Sequence, residues 1–371
     1  MIKILFFIET IDGGGAEKVL RDLVNNMDKQ KFDITVQTVW PWDPRKYLAS
    51  GIRYKSVYPA QNRMNLLRYR AEAAAGLTYA LHIKDEYDIE CAYLECGATK
   101  LLSSSTNKRA VKLAWVHCDL QKAMEDPAGF AERTAGYYGK YDKVICVSKQ
   151  GKQSFVELYG TKIETEIVYN TVDCQQILQK AEEPLMGIES RGRPLVVSVG
   201  RLSTPKHFMR LLWAHKTLLD QGVFHDLLIV GEGAERPKLE RYIHENGLED
   251  SVRLVGFQSN PYPYIKAADL LACSSIYECF STFVTEGLIL GKPIVTTDVS
   301  GMRELLGDSE YGLITANEDE AFCEGVKKML TDKILRENYA QKSVLRGKDF
   351  STEKLVKNTE RFFEECINSR R

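Results

Sequence analysis

The residues able to do chemistry in this chain fall in a few short stretches. In "VSVGRLSTPKHF" an apolar run stops at Gly200, and Arg201 and Lys206 follow. An arginine offers a bidentate fork and a lysine a point charge, so the pair suits a diphosphate, although two solvated surface cations have the same spacing. In "DLLIVGEGAERPKLE" another apolar run ends at Gly231-Glu232-Gly233. Glycines there let backbone approach a ligand, and they equally suit a plain strand-to-helix turn. In "SSIYECFSTFVTEGLILGKPIV" seven residues separate Glu278 from Glu286. Ser281 or Thr282 is a good N-cap, which places Glu286 about one turn into a helix whose first amides form an anion site. Two carboxylates beside an anion site can accept hydrogen bonds from hydroxyl-rich groups on either side. A diphosphate flanked by two polyols is a nucleotide sugar; the plain alternative is a capping acid and a surface acid. His117 in "LAWVHCDL" ends an apolar run and is placed either to contact a sugar and relay a proton, or to serve the core.

The opening segment raises the same anion question. Gly13, Gly14 and Gly15 in "TIDGGGAEKVL" have no Gly-Lys-Ser/Thr after them and no third spaced glycine, so they are neither a P-loop nor a dinucleotide fingerprint. A helix from about Ala16 would point its amino end at an anion, with Gly14 and Gly15 closing over it; the same glycines also suit a plain strand-to-helix turn. No Asp-x-Asp pair and no cluster with zinc spacing occurs, so the sequence predicts a site without a metal.

These residues need strands to hold them. The chain has 371 residues, 44% of them hydrophobic, with 50 basic and 51 acidic residues. That length suits two domains of roughly 150–200 residues, and the balanced charge lacks the basic footprint of a nucleic-acid binder. Nearly continuous apolar runs such as "KILFFIET" and "PLVVSVG" alternate with helical patterns, including 17–27 and 66–83. This predicts an α/β chain with two Rossmann-like parallel-sheet domains. Residues 1–180 form the first domain, 181–194 a Pro/Gly-containing linker, 195–350 the second domain, and 351–371 a helix that crosses back. Ligands of open α/β sheets bind at the carboxyl ends of the strands, where each residue named above falls. Nine scattered cysteines fit a reducing compartment. The amino terminus is a first buried strand rather than a leader, and no run spans a bilayer. The expected location is cytoplasmic.

In this order and at these separations, the fragments "GGGAEKVL", "VYNTVD", "GRLSTPKHF", "VGEG", "VGF", "ECFSTFVTE", "GKPIVTTDVSGMREL" and "YGLI" resemble the retaining glycosyltransferases of family 4, over nearly the whole chain. The resemblance implies the GT-B fold, in which the two domains face each other across a cleft. It implies transfer of a sugar from a nucleotide diphosphate donor, UDP-linked by expectation, to a saccharide or lipid-linked acceptor in surface polysaccharide or glycoconjugate assembly. The first domain would be the acceptor side and the second would hold the donor. By the same resemblance Arg201 and Lys206 hold the donor phosphates, Glu278 lies near the transferred sugar, and Glu286 bonds the ribose. The backbone of Phe280, Ser281 and Thr282 lines sugar and phosphate; Gly231, Gly233 and Phe257 lie near base and ribose; His117 faces the sugar. No cofactor is implied. The family is described by a same-face route in which the departing phosphate takes the acceptor's proton. The chain departs from the family pattern at His207, Cys279 and Ser281, each replacing a glycine, and at "NTVD", where "NGVD" is commoner.

Two other activities share parts of this pattern. A sugar-nucleotide epimerase would convert a UDP-sugar without any acceptor. A non-catalytic nucleotide-sugar-binding subunit would bind donors without turnover. In addition, Arg63, Arg68 and Arg70 beside Leu66, Leu67 and Leu77 form a helix suited either to peripheral contact with an anionic membrane or, equally, to packing on the sheet as a soluble helix.

Overall fold

The computed structural model of the protein describes residues 1–11, 13–185 and 192–370. They form two compact units, Met1–Asp173 with Thr352–Arg371, and Cys174–Ser351. Residues 186–191 of the linker predicted at 181–194 lie outside the described residues.

The first unit is built on a seven-stranded sheet. Its strands are β1 (Ile2–Ile8), β2 (Phe32–Thr38), β3 (Arg53–Ser56), β4 (Ile89–Ala92), β5 (Val111–Val116), β6 (Lys143–Cys146) and β7 (Thr165–Ile167), in the order β3-β2-β1-β4-β5-β6-β7. All pairings are parallel. The run Ile4 to Ile8 is buried throughout, as a central strand covered on both faces must be. Ile4 aligns with Ile34 on one side and Ile89 on the other. The helix Thr352–Asn368 packs on this unit: Phe363, fully buried, meets the rings of Phe6, Phe32 and Trp115 edge-on.

The second unit has a six-stranded parallel sheet. Its strands are β8 (Leu195–Val199), β9 (Asp226–Val230), β10 (Val252–Gly256), β11 (Leu270–Cys273), β12 (Ile294–Thr297) and β13 (Leu313–Thr315), in the order β10-β9-β8-β11-β12-β13. Val197 aligns with Leu228 in β9 and Leu271 in β11. Both sheets reverse winding direction beside their first strand, between β1 and β4 in one unit and between β8 and β11 in the other. Those reversals are the topological switch points where α/β sheets open a ligand crevice.

The sequence reading holds for the class and for most strands. It differs in three places. The segment 66–83 is two helices, Arg63–Ala74 and Thr78–His82, because the chain turns at Gly76-Leu77. β3 has no apolar run, only the polar "RYKS" of an edge strand. The run "EIVYNTVD" (166–173) reads as a strand, yet it pairs only at Glu166 and Ile167, as part of β7 (Thr165–Ile167). All nine cysteines are free. Among the described residues no helix is long and apolar enough to cross a membrane.

Candidate active site

In the second unit the switch point is bridged by charge. Lys206 sits on the loop after β8 and Glu278 on the loop after β11, and Lys206 Nζ donates to Glu278 Oε1 at 2.5 Å. Ser275 Oγ donates to the same oxygen at 2.7 Å. Burial alone would lower the Lys206 pKa, but the Glu278 carboxylate outweighs it and holds the ammonium above its ordinary range. Arg201 lies on the same loop as Lys206. It is exposed, and its guanidinium makes no hydrogen bond or ion pair among the described residues. The loop therefore carries one cation held by a carboxylate and one facing solvent.

The helix Thr282–Ile289 starts beside this pair, capped by Ser281, whose Oγ accepts from the Val284 amide at 3.4 Å. Thr285 Oγ1 donates to the Ser281 carbonyl at 2.9 Å and pins the first turn. The amides of that turn have no intrahelical acceptors and form an electropositive end. Glu286 lies on this helix, 5% exposed, and accepts from Tyr262 Oη at 3.4 Å. Phe280 is buried with its ring edge-on to Phe350, so this residue can offer a ligand its backbone but little of its side chain.

Gly231 and Gly233 are required by the protein's own backbone. Gly231 has φ +150°, and a Cβ there would lie 1.9 Å from the Gly200 carbonyl oxygen; one at Gly233 would lie 2.2 Å from the Leu202 carbonyl oxygen. The bonds Leu202 N–H to Glu232 O and Glu235 N–H to Leu202 O clamp the two loops together. These glycines thus fix the loop that carries Arg201 and Lys206. Gly231 also donates to the Gly256 carbonyl, next to Phe257, which is 63% exposed and presents a free aromatic face.

In the first unit, His117 follows β5 and packs on Tyr93 with ring centroids 4.9 Å apart. Burial pulls its pKa down to about 3, against a hydrogen bond to the Tyr93 backbone, so the ring is neutral at ordinary pH. Its Nε2 is buried without a hydrogen-bond partner among the described residues. Beside it, Glu95 accepts from the His117 amide at 3.3 Å, and burial raises the Glu95 carboxyl above its ordinary range despite hydrogen bonds from Cys118 and nearby amides. Gly14 is the N-cap of the helix Gly15–Asn26 with φ −93°, a conformation open to any residue. A Cβ there would meet the Glu17 carboxylate, which folds back over the helix start. Gly14 and Gly15 follow β1 and His117 follows β5, on the same carboxyl edge with β4 between their strands.

Among the described residues no group of three or more His, Cys, Asp or Glu is placed to hold a metal ion. Sequence reasoning missed Ser275, Tyr262 and Glu95. Ser275 and Glu95 stand just after strands, the one signal that could have found them; Tyr262 carries none.

Residues 187–345 match the family described as "Glycosyl transferases group 1", and residues 13–176 match "Glycosyltransferase Family 4". The chain belongs to the family-4 glycosyltransferases. This glycosyltransferase is 34% identical over 224 residues to a Campylobacter jejuni protein named N-acetylgalactosamine-N,N'-diacetylbacillosaminyl-diphospho-undecaprenol 4-alpha-N-acetylgalactosaminyltransferase. The match covers 60% of each chain, so the chain spans about three fifths of that relative's length. It is 23% identical to the amylovoran biosynthesis glycosyltransferase AmsD of Erwinia amylovora, over 96% of this chain and 98% of AmsD. Its fold is that of Anabaena HepE, solved with UDP and glucose, at a TM-score of 0.79 and 18% identity over 98% of this chain and 100% of that one.

The departures of this glycosyltransferase from its family pattern have visible local consequences. His207 takes the glycine's left-handed conformation, at φ 49° and ψ 47°. Cys279 is 4% exposed and Ser281 becomes the helix cap, so both side chains are absorbed by the protein.

Proposed function

We propose that the protein is a retaining glycosyltransferase that moves a sugar from a nucleotide diphosphate donor, UDP-linked, to a saccharide or lipid-linked acceptor. The carrying observation is the Lys206–Glu278 bridge across the second unit's switch point, with Arg201 on the same loop and a helix amino end beside it. Arg201, Lys206 and the helix amides neutralise the diphosphate, and their field strengthens as negative charge develops on the leaving phosphate. No metal or other cofactor is required in this reading, because the two cations supply the charge. Glu286 takes the ribose hydroxyls and Glu278 a hydroxyl of the transferred sugar. The exposed ring of Phe257 stacks on the base, with Gly231 and Gly233 beneath the nucleoside. The departing phosphate, steadied by Lys206, receives the acceptor's proton on the same face. In the first unit His117 is neutral, with its Nε2 unpartnered among the described residues; by the family resemblance it is the residue assigned to the sugar, as Gly14 and Gly15 are to the phosphates. The resemblance to family members, the UDP bound to HepE, and the lipid-diphosphate in the Campylobacter relative's name support this choice of donor and acceptor. The reaction takes place in the cytoplasm, at the inner face of the membrane where a lipid-linked acceptor is embedded.

The experiment is a thermal-shift screen of nucleotide sugars, in which a bound donor raises apparent stability by mass action, followed by turnover with the best donor. Arg201→Ala, Lys206→Ala and Glu286→Ala are each expected to lower turnover by roughly 10²-fold or more. The product should keep the donor's anomeric configuration, and a chelator should leave the rate unchanged. Undiminished transfer in all three variants sinks the assignment, and an inverted product sinks the retaining route.

A further inference from the structure

Arg210 is a buried cation that the reading above leaves without a task. It lies on the helix Phe208–Asp220 and is only 5% exposed. A buried guanidinium needs compensation from every side. It finds this in three acceptors: Nε donates to Asp319 Oδ1 at 2.6 Å, Nη1 to Asn317 Oδ1 at 2.7 Å, and Nη1 to the Ser274 carbonyl at 3.3 Å. Each acceptor leads back to the site. Ser274 Oγ donates to the Lys206 carbonyl at 2.9 Å. Asn317 Nδ2 donates to the Ile276 carbonyl at 3.1 Å, and the Ile276 amide donates to the Pro205 carbonyl at 2.8 Å. A closed set of bonds thus ties the loop of Lys206 to the loop of Glu278, and the guanidinium is its hub.

His207 tightens the same knot. It holds a left-handed turn directly after Lys206, and its Nε2 lies 3.8 Å from the oxygen of Asp319 that Arg210 uses. A lysine at position 210 could not replace the fork, because a point charge cannot aim along separate Nε–H and Nη–H directions.

We propose that Arg210 is a positioning residue that fixes the reach of Lys206 toward the second phosphate of a nucleoside diphosphate. This rests on the donor site described under Proposed function. A displacement of about 1 Å in such a group is enough to cost roughly 10²-fold in rate. Arg210 itself touches no substrate.

The test uses binding rather than turnover, with UDP and UMP as probes and calorimetry on the full chain. The ratio of UDP to UMP affinity reads the contact to the second phosphate. Wild type is expected to favour UDP by roughly tenfold or more. Arg210→Gln and Arg210→Lys should each lose most of that preference while UMP affinity stays within about twofold. In a Lys206→Ala background, Arg210→Gln should remove nothing further, since residues acting through one contact are not additive. Asn317→Ala, at an exposed position, is expected to move the ratio in the same direction without burying an unpaired charge. Equal losses for UMP and UDP, or additive losses with Lys206→Ala, overturn the positioning role alone. A wild-type protein that does not distinguish UDP from UMP, or a Lys206→Ala variant that keeps the preference, overturns the donor-site reading and the positioning role with it.

Discussion

At the scale of single residues, the ion pair between Lys206 and Glu278 has opposite consequences for its two members. In the free protein the Glu278 carboxylate competes with any phosphate for the ammonium. Glu278→Gln keeps the size and can still accept from Ser275, but removes that competition. Burial, now unopposed, lowers the Lys206 pKa relative to wild type, although the ammonium of an ordinary lysine starts far above neutral. Glu278→Gln is therefore expected to bind UDP as tightly as wild type or up to about tenfold more tightly, while turnover falls by roughly 10²-fold. Lys206→Ala should lose both. Calorimetry with UDP beside a turnover assay separates the two, and a Glu278→Gln protein as weak for UDP as Lys206→Ala would remove the competition from the account. The pair was visible in the sequence only as two charged residues 72 positions apart. Their contact follows from β8 and β11 being neighbours, which no local pattern encodes. Arg210 was invisible for a different reason: on a helix an arginine is usually a surface residue, and only its neighbours on two loops show that it is buried.

At the scale of elements, legibility followed burial. Strands covered on both faces, such as β1 and β8, are continuous apolar runs and could be read directly. The edge strand β3 could not, because its pairing comes from a neighbour rather than from its own composition; β7 was readable as a strand but not in its extent, since the apolar run continues past Ile167 while the pairing does not. The helix Arg63–Ala74 was readable as a helix but not as to where it stops. None of its residues is buried, and Met64 and Leu67 are 74% and 59% exposed, with Leu77 and Leu81 beyond the turn at 50% and 45%. Arg68 is held by Glu72 at 2.6 Å, so Arg63 and Arg70 are the cations left for a partner. We propose that these exposed side chains, with the two arginines, rest on an anionic membrane. Each exposed arginine near such a surface contributes about 1 kcal/mol. Co-sedimentation with phosphatidylglycerol vesicles is expected at low salt, and Arg63→Glu with Arg70→Glu should weaken it by roughly tenfold or more. Failure to bind vesicles at low salt would end the proposal.

At the scale of the whole molecule, both units hold imidazoles that folding keeps neutral. In the first unit this is His117. In the second, His215 and His225 form a buried chain: His225 Nδ1 bonds the Val223 carbonyl at 2.9 Å, His225 Nε2 meets His215 Nδ1 at 2.8 Å, and His215 Nε2 meets Ser251 Oγ at 2.8 Å. Burial lowers His117 and His215 to about 3 each, the neighbouring His225 adding to the second, and it lowers His225 and His207 as well. The unfolded chain takes up protons on these rings below about pH 6.5, while the folded protein takes them up only at lower pH, near 3 for His117 and His215. The unfolded state therefore binds more protons, and stability falls as pH falls from about 6.5 toward 3. Two rings shifted that far contribute together about 2.7 kcal/mol per pH unit well inside the window. Glu9 and Glu95 act in the opposite sense, since burial raises both and the folded state holds their protons more firmly. Urea midpoints measured from pH 7.5 to 5 should drop steadily. His215→Gln, less stable at pH 7.5, should lose less on acidification, by about one proton's worth of slope. A midpoint that stays flat or rises on acidification would mean that the rings are charged in the folded protein, and the neutral His117 assigned to the sugar would fall with them.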